Sequence, residues 1–177
     1  MSQLKVNSIV PVNGLPAGSS GGIIQVKQTV KTDEFSATTQ DSFFDVTGIN
    51  VSITPTSSTS KILIIINLEV SAPNELCIFR LLRGSTVINV STVGTSINGF
   101  GMVDGEAYGN NNRSTEDITC TFLDSPATTS STTYKVQCRK NGSGTMRLNR
   151  RNLNGSVGFT SQITAMEVSA WLLPCII

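Results

Sequence analysis

The sequence predicts an all-β protein: a β-sandwich of about ten strands closed as a jelly roll, behind an extended N-terminal arm. Three observations carry this. Val, Ile and Thr number 52 of the 177 residues against 7 Ala, and side chains branched at Cβ fit a pleated surface better than a helix. Ser and Thr number 43, and with 14 Asn and 15 Gly they supply the turns that many short strands need. Several segments alternate apolar with polar residues at period two, and none of useful length shows the helical period.

Residues 1–22 read as an arm. Leu4, Val6, Ile9 and Val10 can form one short extended stretch, but Pro11, Asn13-Gly14, Pro16 and the run from Gly18 to Gly22 prevent any longer element. An apolar stretch on a flexible linker suits strand addition to another protein or a neighbouring subunit; a frayed terminus is the alternative. The sandwich then spans 23–170. Ile24, Val26 and Val30 alternate with Gln25, Lys27 and Thr29, and Ile49, Val51 and Ile53 alternate likewise, so both read as half-buried strands. Ile62 to Ile66 and Leu76 to Leu82 are apolar on both faces and need a second cover. A neighbouring subunit is the simplest source, with Ile64, Ile66, Ile78, Phe79 and Leu82 as the expected contact residues; covering loops are the alternative. Val87, Ile88, Val90 and Val93 carry the next strand, and the polar stretch from Asp104 to Asp117 reads as a long exposed loop. Strands follow at Ile118 to Phe122 and Tyr134 to Arg139; Asn141-Gly142 marks a hairpin with Met146 and Leu148 on its return strand. Asn154-Gly155 marks another turn, Ile163 to Trp171 the last strand, and 171–177 an apolar tail.

Charge and composition exclude much chemistry. Thirteen basic residues against twelve acidic ones give a net charge of +1, so no global field draws nucleic acid or an anionic membrane. The chain has no histidine, which removes Ser-His-Asp and Cys-His nucleophile systems and the histidine-ligated zinc hydrolases. No signal peptide or membrane-length apolar run is present, which predicts a soluble chain made in the cytoplasm. Cys77, Cys120, Cys138 and Cys175 then read as free thiols; Cys120 and Cys138 fall on inward-facing positions of alternating strands. No C-x-x-C spacing suggests zinc, and no cofactor is expected.

Three candidate sites stand out. Arg139, Lys140, Arg147, Arg150 and Arg151 surround one hairpin with no acid between them, and guanidinium groups match phosphate and carboxylate geometry, so phosphate-bearing surface polysaccharide is a reasonable ligand. A solvated hairpin, or pairing with acids such as Glu116 and Asp117 across subunits, is the plainer reading, and nucleic acid is disfavoured because no aromatic platform interleaves the charges. Tyr108 with Asn110, Asn111, Asn112 and Arg113 offers an aromatic face and amides suited to sugars, or is simply a polar loop. Asp104 with Glu106 and Glu116 with Asp117 are the dense carboxylate pairs, but their spacing matches no calcium loop, so neither hydrolysis nor metal binding is expected. Asn-x-Ser sequons at Asn50, Asn89, Asn112, Asn141 and Asn154 carry no role without secretion.

Leu4-Lys5-Val6-Asn7-Ser8-Ile9, Val12-Asn13-Gly14-Leu15-Pro16 and Gly22-Ile23-Ile24-Gln25-Val26 resemble the tail-fibre or fibre-like virion proteins of tailed phages, especially marine and cyanobacterial ones. Val51-Ser52-Ile53-Thr54-Pro55, Ser60-Lys61-Ile62-Leu63, Phe79-Arg80-Leu81-Leu82-Arg83-Gly84 and Ile163-Thr164-Ala165-Met166-Glu167-Val168 extend the resemblance over most of the chain. The framework is also similar to trimeric jelly rolls of the complement globular-head and tumour-necrosis-factor type. This resemblance implies a non-enzymatic homotrimer in the virion, docked to other virion proteins by residues 1–22 and serving attachment to the host. A capsid decoration protein or head fibre, and a free lectin-like module, are the alternatives.

Overall fold

The computed structural model describes residues 22–72, 76–91, 93, 97–105, 115–142, 144–151 and 157–169. Every regular element among them is a strand: β1 (Ile23–Lys31), β2 (Phe35–Ala37), β3 (Phe43–Ile53), β4 (Lys61–Ser71), β5 (Leu76–Arg83), β6 (Thr86–Ile88), β7 (Gly101–Asp104), β8 (Glu116–Asp124), β9 (Thr132–Asn141), β10 (Met146–Leu148) and β11 (Ser161–Val168). They form two antiparallel sheets. One runs β1-β11-β4, with β8 along the other edge of β4 and β10-β2 continuing beyond β11 on the same edge; the other runs β3-β9-β5-β6, with β7 also on β5.

The core lies between the sheets. Ile62, Ile64, Ile66, Leu68 and Val70 of β4 point into it, meeting Cys77, Phe79 and Leu81 of β5, Tyr134, Val136 and Cys138 of β9, and Ile163 and Ala165 of β11. The β-branched run that reads as apolar on both faces thus supplies one complete inward face. Its other face, Leu63 and Ile65, is half-buried between the outward side chains of β11 and β8.

The connections between the two sheets gather at two poles. β1 and β4 start at the near pole, where Ser169 N donates to Gly22 O at 3.0 Å and Gly22 N donates to Ser169 Oγ at 2.9 Å. β1, β4 and β9 all end at the far pole, where β8 and β11 begin. A buried carboxylate pins the near pole. Glu167 Oε1 accepts from Thr56 N and Thr56 Oγ1, both at 2.7 Å, and Oε2 accepts from Gln25 Nε2 at 2.6 Å. Burial works against the charge, but hydrogen bonds from Gln25, Thr56 and Ser60 outweigh it and hold the Glu167 carboxyl down at about 2. Asn149 pins the far pole: its amide donates to Lys31 O (2.8 Å) and Asp33 O (3.0 Å), and Ser161 Oγ donates to its Oδ1 at 2.6 Å. Its φ of +64° is one that Asn adopts more readily than most residues.

Four expectations change. First, β1 is a strand turned the other way: Ile24, Val26 and Val30 are 47 to 52% exposed, while Gln25, Thr29 and Lys31 face inward. The polar face is held there by Gln25 on Glu167 and Thr54 O, and by Lys31, which pairs with Asp33 at 2.8 Å. The Lys31 stem rests against Gly48, whose φ of +89° shapes the irregularity in β3 and whose missing Cβ leaves room for Lys31 Cδ. Second, β6 ends at Ile88, leaving Val90 and Val93 exposed outside any strand. Third, β10 does not return along β9; after Gly142 (φ +106°) the chain crosses to the other sheet and pairs with β2 and β4. Fourth, Ile64, Ile66 and Phe79 are at most 1% exposed inside this chain's own core, so they are not contact residues for a neighbour. A strand apolar throughout carries no sign of which parity turns inward. Ile78 and Leu82 do face outward, on the five-stranded sheet, where Leu82 is itself buried.

Candidate functional site

Among the described residues, the far pole holds Arg139, Lys140, Arg147 and Arg150 of the basic cluster. β10 carries Arg147, and the turn after it carries Arg150, which bridges to Gly158. Both guanidinium groups close on one carboxylate of the β1–β2 connection: Arg147 Nη1 donates to Glu34 Oε1 at 2.6 Å and Arg150 Nη1 to Glu34 Oε2 at 2.7 Å. Burial raises the Glu34 carboxyl, yet the two arginines overcome this and hold it below its ordinary range.

The five basic residues of the expected hairpin do not form one patch. Arg139 faces outward on β9 and pairs with Asp41 at 3.3 Å, while Lys140, one residue on, points into the protein with its Nζ donating to Gly142 O at 2.5 Å. Strand parity separates them, and the sheet crossing after Gly142 separates both from Arg147 and Arg150. The acids that compensate Arg139, Arg147 and Arg150 come from the same chain, Asp41 and Glu34, rather than from Glu116 or Asp117. Arg151 continues the turn, its backbone N–H reaching Val157 O.

Gly105 and Thr115, which bracket the long polar loop, also lie at the far pole. Tyr108, Asn110, Asn111, Asn112 and Arg113 fall outside the described residues, as do Leu4, Val6, Ile9 and Val10 of the arm, Glu106, the turn at Asn154-Gly155, Trp171 and Cys175. Beside the loop, Glu69 of β4 stands opposite Asp117 of β8. Burial raises the Glu69 carboxyl, and the Asp117 carboxylate beside it raises it further; Glu116 is raised by burial and by Asp104. Asn67 Nδ2 donates to Asp117 Oδ1 at 2.9 Å. Among the described residues no group of three or more acids, cysteines or histidines could hold a metal ion.

Sequence reading missed one further feature. An open hollow of about 390 Å³ lies beside β8, with Asn89, Ser91, Thr119 and Thr121 around it, Phe100 at one side and Cys120 in its wall. Asn89 (φ +55°) donates from Nδ2 to Cys120 Sγ at 3.3 Å. Asn89 reads in the sequence as part of a strand and a sequon, so its place beside β8 carries no local signal.

No protein-family model matches the chain, and no curated protein sequence matches it. Among the described residues no helix is long and apolar enough to cross a membrane.

Proposed function

We propose that this protein is a non-enzymatic virion structural protein of a tailed phage, in which the N-terminal arm docks to the particle and a trimeric jelly roll projects outward for host attachment. One observation carries the reading: the arm joins the domain at Gly22, at the near pole, whereas Arg147, Arg150 and the brackets of the long polar loop, Gly105 and Thr115, lie at the far pole. A domain held at one pole presents the other. The sheet order supports the jelly-roll part, since β1-β11-β4-β8 facing β3-β9-β5-β7 is the arrangement that two interlocked Greek keys give. The far-pole arginines offer planar donors to acidic or phosphate-bearing surface polysaccharide, which would compete with Glu34 for them.

The test uses the full-length chain with Leu4, Val6, Ile9 and Val10 all changed to Ser. Particles assembled with it should lack the protein while its strand-type circular dichroism and melting temperature stay those of the parent. Normal incorporation overturns the docking role.

A further inference from the structure

The outer face of the six-stranded sheet carries an exposed apolar row. Register places its outward side chains in rows across four strands. Val26, Met166, Leu63 and Leu123 make one row; Gln28, Thr164, Ile65 and Thr121 the next; Val30, Gln162, Asn67 and Thr119 the third. The first row is apolar from edge to edge, and its outer members, Val26 and Leu123, are 52% and 54% exposed. The next row toward the near pole pairs Ile23, 60% exposed, with Val168, and Lys61 closes it on β4. None of the twelve side chains in the first three rows carries a charge.

We infer that this face is the surface through which copies of the chain associate with one another. The inference rests on the homo-oligomer proposed above and adds the surface that makes it. Three arguments point to a second copy as the occupant. Near the symmetry axis of a homo-oligomer equivalent residues from different copies approach one another, so any charge there meets its own kind; a face of three charge-free rows avoids that repulsion. Its size is a second argument. Four strands about 4.8 Å apart and three rows about 6.7 Å apart give about 400 Å² in projection, and the accessible area of a corrugated sheet exceeds its projection, so the three rows alone supply half or more of the roughly 800 Å² that each partner of a stable complex buries. The orientation of β1 is the third. Its alternation marks Ile24, Val26 and Val30 for burial, and the fold turns that face out onto this surface, so the burial which the sequence encodes is not completed by any of the described residues.

Light scattering on the full-length protein over a hundredfold concentration range tests this, with Val26→Lys/Leu123→Lys and Leu63→Glu as variants. The parent should be a multimer. The double variant should dissociate to single chains, or associate at least about 100-fold more weakly, with unchanged circular dichroism, because both positions are half in water already. Leu63→Glu should do the same; if it does not fold, the double variant decides. Lys135→Glu, on the outer face of the five-stranded sheet, should leave the mass as it is. A multimeric parent whose variants keep its mass overturns this face and leaves the homo-oligomer standing on another. A parent that stays single at every concentration overturns both, and assigns the cover of this face to another segment of the chain or to a different protein.

Discussion

On the outer face of the five-stranded sheet, Asp45 accepts from Lys135 Nζ at 2.8 Å and from Gln137 Nε2 at 2.7 Å. Gln137 in turn accepts twice from Arg80, whose guanidinium lies 3.6 Å over the Phe43 ring, and Ser52 and Thr133 share a hydrogen bond one row on. The three central rows of the six-stranded sheet hold only Val, Leu, Ile, Met and uncharged amides and hydroxyls. The β3–β9–β5 part of the first face satisfies its polar groups within the chain, and its exposed apolar area is confined to Met102 of β7 beside Ile78. The second has apolar area in water and gains by losing it. Two sheets of one sandwich can therefore divide the work, one finishing the fold and the other offering a contact.

The difference extends to how each sheet is fixed, which gives three ways to sharpen it. The six-stranded sheet is locked from within at both poles, and the largest effect is expected from Asn149→Ala. It removes the amide that Lys31 O, Asp33 O and Ser161 Oγ share and puts alanine at φ +64°; a loss of about 3 kcal/mol follows, lowering the melting temperature by about 6 to 12 °C. Denaturant titration measures it, and a loss below the cost of one hydrogen bond would refute the lock.

The near-pole lock is next. Glu167 has its carboxyl depressed in the folded protein to about 2, so its contribution is present above the ordinary carboxylate range and is lost as the pH falls through 4.5 toward 2. About 2 kcal/mol should disappear over that window, and Glu167→Gln should flatten this part of the stability–pH profile. Identical profiles for the two proteins would deny the carboxylate its role. The smallest effect belongs to the five-stranded face. Arg80→Ala removes two hydrogen bonds to Gln137 and the contact with Phe43, costing about 1.5 kcal/mol in unfolding experiments without changing the state of association. A change in assembled mass would erase the distinction between the faces.

Much of the fold is legible in the sequence because strand parity is a local signal. Val51 and Ile53 alternate with Ser52 and Thr54 and point inward as that pattern demands, and Cys120 and Cys138 are buried on the inward side. Parity fails where both neighbours are apolar, which is why Ile64 and Ile66 read as contact residues although they fill the core. It fails in β1 for a different reason: Gln25 and Lys31 are drawn inward by Glu167, more than 130 residues away, and by the space at Gly48. The candidate site was less legible still. The cluster of five basic residues is a cluster only along the chain, since Lys140 turns inward and β10 joins the opposite sheet. Glu34, which gathers Arg147 and Arg150, lies 113 and 116 positions from them.

The junction at Gly22 also fixes how the domain bears load. Tension entering through the arm and leaving at the far pole pulls β1 along its own axis against β11. The ladder from Gln25↔Glu167 to Lys31↔Ser161 lies across that direction, so its bonds are strained together in shear. Tension applied between Gly22 and Ser169 would part the same strands from one end, one bond after another. A load that enters at Gly22 and leaves at the far pole therefore meets the domain in its mechanically stiffer direction.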